Sequence, residues 1–130
     1  MKNLLAVFAV IGSMFVSVPA IAHHGTNTEY DAAHPIVFNA TVTEFAFANP
    51  HIQIYFDVKD DKGKVAHWAV EGPSPGRLVR MGWKRDEIKV GDQITITVEP
   101  ARSGAAVGAI RKVVLASGKE LGVVPLVPQQ

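Results

Sequence analysis

The run His51–Lys59 alternates without a fault. Ile52, Ile54, Phe56 and Val58 fall on one face, and His51, Gln53, Tyr55, Asp57 and Lys59 on the other. Period two over that length marks a half-buried β-strand, because successive side chains leave a strand on opposite sides. Such a strand is not stable alone. Its apolar face must be covered and its backbone edges paired, so the rest of the chain has to supply a sheet. Asp60-Asp61-Lys62-Gly63 is a hairpin connection, with Gly63 available for positive φ, and Lys64–Glu71 returns as the partner strand. Setting Lys59 opposite Lys64 places Val58 opposite Val65, Phe56 opposite His67 and Tyr55 opposite Trp68.

The remaining strands follow from the same chemistry. Ile36–Phe47 is rich in β-branched and aromatic residues, and the small Ala46 and Ala48 near its end suit a bulge or bend. Asn49-Pro50 then turns the chain into the alternating run. After Gly72-Pro73, a short helix is punctuated at both ends: Ser74 at the N-cap, Pro75 at the first helical position and Gly82 just past the last turn. Leu78 and Met81 would share its buried side. Trp83 reads as a core plug, and Lys84–Ile88 as one further helical turn. Gln93–Glu99 alternates Ile94, Ile96 and Val98 against Gln93, Thr95 and Thr97. Val107–Ala116 is a fifth strand with Ile110, Val113 and Leu115 inward, and Ser117-Gly118 turns into Lys119–Val123. Three meandering strands, a short helix and two more strands is the order of a five-stranded OB-like Greek-key barrel, all-β apart from the helix between strands three and four. Another small barrel, or a sandwich with a helical insert, is the other architecture that this order allows.

Residues 1–22 read as a cleaved export signal. Lys2 is the positive flank, Leu4–Val18 an apolar run shorter than the roughly 20 residues that a membrane span needs, and Ala20-Ile21-Ala22 a small-residue cleavage site. The mature chain then starts at His23-His24 and is expected in the periplasm or outside the cell, with no stable membrane insertion. Residues 23–35 form a polar N-terminal arm, 36–123 the barrel, and 124–130 a tail. Loss of Lys2 leaves Lys and Arg equal in number to the 12 Asp and Glu. A balanced charge offers no general attraction to nucleic acid or anionic lipid. With no cysteine in the chain, thiol catalysis and thiolate metal sites are excluded.

Ala22-His23-His24, Asn49-Pro50-His51, Trp68-Ala69-Val70-Glu71, Gly82-Trp83 and Gly91-Asp92, in this order and at these spacings, resemble a family of small exported bacterial proteins classed as a domain of unknown function. The resemblance runs from His23 to about Leu121. It implies a periplasmic location and one small β-rich domain, and it brings no reaction with it.

Five histidines carry the pointed chemistry: His23, His24, His34, His51 and His67. Once residue 22 is removed, His23 offers its α-amino and ring nitrogens to one divalent metal, copper above all. A third nitrogen from His51, or failing that His34, would complete the T-shaped site called a histidine brace. The α-amino group titrates near 8 and imidazole near about 6.5, so such binding demands little deprotonation at neutral pH. The bland alternative leaves the two leading histidines solvated and His51 capping a strand; His67 reads as a hydrogen-bonded strand residue. Glu71 is expected to pair with Arg77 or Arg80 and steady the helix. Carboxylates and hydroxyls fall into no nucleophile–base order, so an enzyme is not expected. Tyr55 and Trp68 are the candidate ligand or partner surface, since OB barrels bind on strands two and three. The expectation is a periplasmic accessory or binding protein for an unidentified protein or small molecule, with no required cofactor; the alternative is metal binding through His23, His24, His51 and His34.

Overall fold

The computed structural model describes residues 29–123. The expected export signal of residues 1–22, the candidate ligands His23 and His24, and residues 124–130 lie outside them. The elements are β1 (Ile36–Ala46), β2 (Gln53–Lys59), β3 (Val65–Glu71), α1 (Pro75–Arg80), β4 (Gln93–Pro100), β5 (Val107–Val114) and β6 (Glu120–Gly122). Strand order is β3-β2-β1-β4-β5-β6, and a parallel pairing of β3 with β5 closes the first five strands into a barrel. Antiparallel neighbours with one parallel seam, and a helix between β3 and β4, make this the OB-like architecture.

Closure depends on two local features. At Thr43 the register of β1 shifts by a bulge, so its first half pairs with β4 and its second half with β2. The bend falls earlier than Ala46, where the small residues pointed, because Val42 is tied to the Gly91-Asp92 turn: its N–H donates to Asp92 O and its carbonyl accepts from Gly91 N. At the seam, Gly108 lies where an added Cβ would sit 2.4 Å from Val98 Cγ1 and 2.5 Å from Glu99 O. Only glycine lets β4 and β5 approach that closely.

Alternation places the core as the sequence requires. Ile52 just before β2, Ile54 and Phe56 of β2, Ile94, Ile96 and Val98 of β4, and Ile110 and Val113 of β5 are all buried. Helix α1 plugs one end through Leu78. Its N-cap is Ser74, whose Oγ accepts from Arg77 N, and it ends in a Schellman motif: Trp83 N donates to Leu78 O and Gly82 N to Val79 O, with Gly82 at φ +94°. The motif lays Trp83 against Leu78, and the indole N–H donates to Gly122 O at 2.9 Å, fixing β6 to the plug. Residues 84–88 make one turn, closed by Glu87 N on Lys84 O, and no helix.

The β2–β3 register is one residue from the expected one. Lys59 pairs with Val65, Asp57 with His67, Phe56 with Trp68, and Tyr55 with Ala69. The cause is Asp60, whose Oδ1 accepts from both Lys62 N and Lys64 N while its own N–H donates to Lys64 O. Lys64 is therefore part of the turn and does not face Lys59.

Candidate functional site

The register decides which side chains share a face. Tyr55, Asp57, His67 and Ala69 point outward from β2 and β3. Trp68 follows Phe56 toward the interior, where its ring stacks on Phe56 at 6.4 Å between centroids and packs on Phe38 at 4.7 Å. Tyr55 and Trp68 are both half-buried, and both border one groove of about 530 Å³ with Thr43, Asp57 and His67. Its far wall is Ala106 and Val107, at the end of the loop joining β4 to β5. Tyr55 is thus the aromatic on the outer face. Its hydroxyl donates to Gln53 Oε1 at 2.6 Å, which holds the ring along the strand. His67 Nδ1 meets Asp57 Oδ1 at 2.5 Å, a cross-strand pair that orients the imidazole over the groove.

A second recess, of about 220 Å³, lies at the helical end of the barrel among Tyr30, His51, Glu71, Arg77 and Ile110. Tyr30 is its least expected member. The arm is pinned there by a short antiparallel bridge: Arg102 N donates to Glu29 O and Asp31 N to Pro100 O, with Tyr30 opposite Ala101. The Tyr30 side chain is only 7% exposed, and its hydroxyl donates to Glu71 Oε1 at 2.9 Å. Burial, and after it that hydrogen bond, push the Tyr30 phenol well above its ordinary range. Glu71 therefore takes its contact from the arm, in place of the expected pairing with Arg77 or Arg80. A signal was there to be read: Tyr30 is the one aromatic residue in the polar stretch 25–35.

His51 stands on the same recess because β2 and β3 stay paired past their ends, through Ile52 N on Pro73 O and Gly72 N on Ile52 O. Its Nδ1 lies 3.1 Å from Gly72 O. A carbonyl only accepts, so Nδ1 carries a proton, and in the neutral ring the lone pair is on Nε2. His34, by contrast, holds Asp31 through Nδ1 at 2.9 Å. That hydrogen bond is the chief reason that the Asp31 carboxyl lies below its ordinary range. His34 and His51 do not come together, and among the described residues no three His, Asp or Glu side chains converge on one point. No helix among these residues is long and apolar enough to cross a membrane.

Fold and recesses define a small closed barrel with an anchored N-terminal arm. The chain belongs to a family of unknown function (DUF6152), whose model covers residues 12–111. No curated protein and no solved structure matches it.

Proposed function

We propose that the chain is an exported, non-catalytic binding protein of the periplasm that takes its ligand in the groove over β2 and β3. The carrying observation is the groove itself: an outward aromatic, Tyr55, beside the Asp57–His67 pair, walled by the β4–β5 loop. This is the surface on which OB barrels bind oligonucleotides and oligosaccharides. Its described lining contains no Lys or Arg, so its chemistry suits a sugar ring, with one flat apolar face and several hydroxyls, better than a phosphate backbone. The export reading is supported by the leader, the Ala20-Ile21-Ala22 site and the family match, which opens inside the apolar run.

Amide shifts recorded with soluble β-linked oligosaccharides test this reading. Changes confined to residues 55–69 and 106–107, and abolished in Tyr55→Ala, are the expected result. Saturable binding that shifts other regions and survives Tyr55→Ala would overturn it. Metal binding through the mature N-terminus is the second reading, and the orientation of His51 favours it.

A further inference from the structure

We infer that the ligand groove continues along β2 as far as Lys59 and takes a β-linked oligosaccharide longer than a disaccharide, with a carboxylate on the unit over Lys59. The inference rests on the sugar-binding reading of the groove beside Tyr55 and extends it.

A second groove, of about 530 Å³, is lined by Asn39, Thr41, Asp57, Lys59, Val65 and Gln93. Asp57 also lines the first, so the two are continuous. Tyr55, Asp57 and Lys59 alternate with Phe56 and Val58 and therefore project from one face of β2. At about 3.3 Å per residue, Tyr55 and Lys59 stand roughly 13 Å apart, beyond the reach of a disaccharide.

The floor between them is polar and ordered. Asp57 is paired with His67 on β3 and with Thr41 on β1, and Thr41 with Gln93 on β4, which makes one row across four strands. Gln93 Nε2 donates to Thr41 Oγ1 at 2.8 Å, leaving Gln93 Oε1 to accept and the Thr41 hydroxyl to donate. One step along, Asn39 Oδ1 accepts from Thr95 Oγ1 at 3.2 Å, which leaves Nδ2 as a donor. Sugar hydroxyls both donate and accept, so they match this mixture of free groups.

Charge sets the kind of sugar. Lys59 is the one Lys or Arg lining either groove, and it forms no salt bridge among the described residues. Asp57, the acid two residues away on its strand, is taken by His67. A ligand carboxylate supplies the missing partner. Lys59 is exposed, where an ion pair is worth little, so the gain in affinity is about threefold and no more than about fivefold.

Three probes test it by amide shifts in the labelled protein: mannobiose, mannotetraose and tetramannuronate, all β-linked. The two tetrasaccharides differ only in a carboxylate that replaces the hydroxymethyl group of each ring. Mannobiose should shift the Tyr55 and His67 amides and leave Lys59 and Val65 in place, whereas both tetrasaccharides should shift all four. Tetramannuronate should bind about threefold more tightly than mannotetraose, and Lys59→Gln should bring the two to equal affinity. Lys59 is exposed, so this variant keeps the fold. Tetrasaccharides that shift Tyr55 and His67 but leave Lys59 and Val65 unmoved would overturn the extension and leave the first groove standing. Equal affinity for the two tetrasaccharides in the wild type, or a preference that survives Lys59→Gln, would overturn the acidic sugar. If none of the three moves Tyr55 or His67, the sugar-binding reading falls as well.

Discussion

Replacing Tyr30 by alanine should free the arm and leave the barrel intact. Tyr30 buries all but 7% of its surface and donates one hydrogen bond to Glu71. Truncation of a fully buried aromatic costs about 3–5 kcal/mol, and a net hydrogen bond adds about 1 kcal/mol. The ring lies on the outer wall and not in the central cluster, which includes Ile54, Phe56 and Ile96. The low end, about 3 kcal/mol, is therefore the better figure for the fall in the arm's opening free energy. At about 1.4 kcal/mol per decade, the Asp31 and Arg102 amides should exchange roughly a hundredfold faster. Those two amides close the bridge, on Pro100 O and Glu29 O. Tyr30→Phe keeps the ring and loses only the hydroxyl, so its effect should be nearer fivefold, corresponding to about 1 kcal/mol. Hydrogen exchange read residue by residue separates the outcomes. Unchanged exchange at Asp31 and Arg102 in Tyr30→Ala would refute the anchor. A uniform rise through β2 and β4 would show Tyr30 to be a core residue of the whole barrel.

Two further predictions concern closure and pH. Gly108→Ala should lower stability in urea unfolding by at least the roughly 1–3 kcal/mol of an overpacked core, because its Cβ would meet the Glu99 backbone as well as Val98; a stable Gly108→Ala protein would show that the β4–β5 approach is not tight. The raised Tyr30 phenol means that the docked arm holds a proton that a released arm gives up. Docking should thus be insensitive to this group below its ordinary 10.0 and weaken as pH rises above it, and absorbance at 295 nm should show a late phenolate step that Tyr30→Phe lacks.

The barrel was legible because alternation and punctuation agreed. The faces of His51–Lys59 and Gln93–Glu99, the Ser74 cap and Gly82 each follow from local sequence, and together they order the elements. What local sequence could not supply is set by contacts distant in the chain. The hairpin register turned on one side chain, Asp60, reaching two backbone amides, and a shift of one residue exchanges the partner of Tyr55 from Trp68 to Ala69. The β1 bend depends on Val42 meeting Asp92. Tyr30 was hidden for the same reason: its partners, Glu71 and Ala101, are far along the chain and meet it only once the barrel closes. Of the candidate residues, Tyr55, Trp68 and His51 stand on recesses that the fold forms, and His34 stands apart from them.

The central claim is that the groove over β2 and β3, with Tyr55 outward beside the Asp57–His67 pair, is the ligand surface, and ring signals of the histidines in the labelled protein test it most directly. A soluble β-linked oligosaccharide should move the His67 ring signals while those of His34 and His51, which do not line the groove, stay in place. Movement of the His34 or His51 signals with His67 unchanged would contradict it.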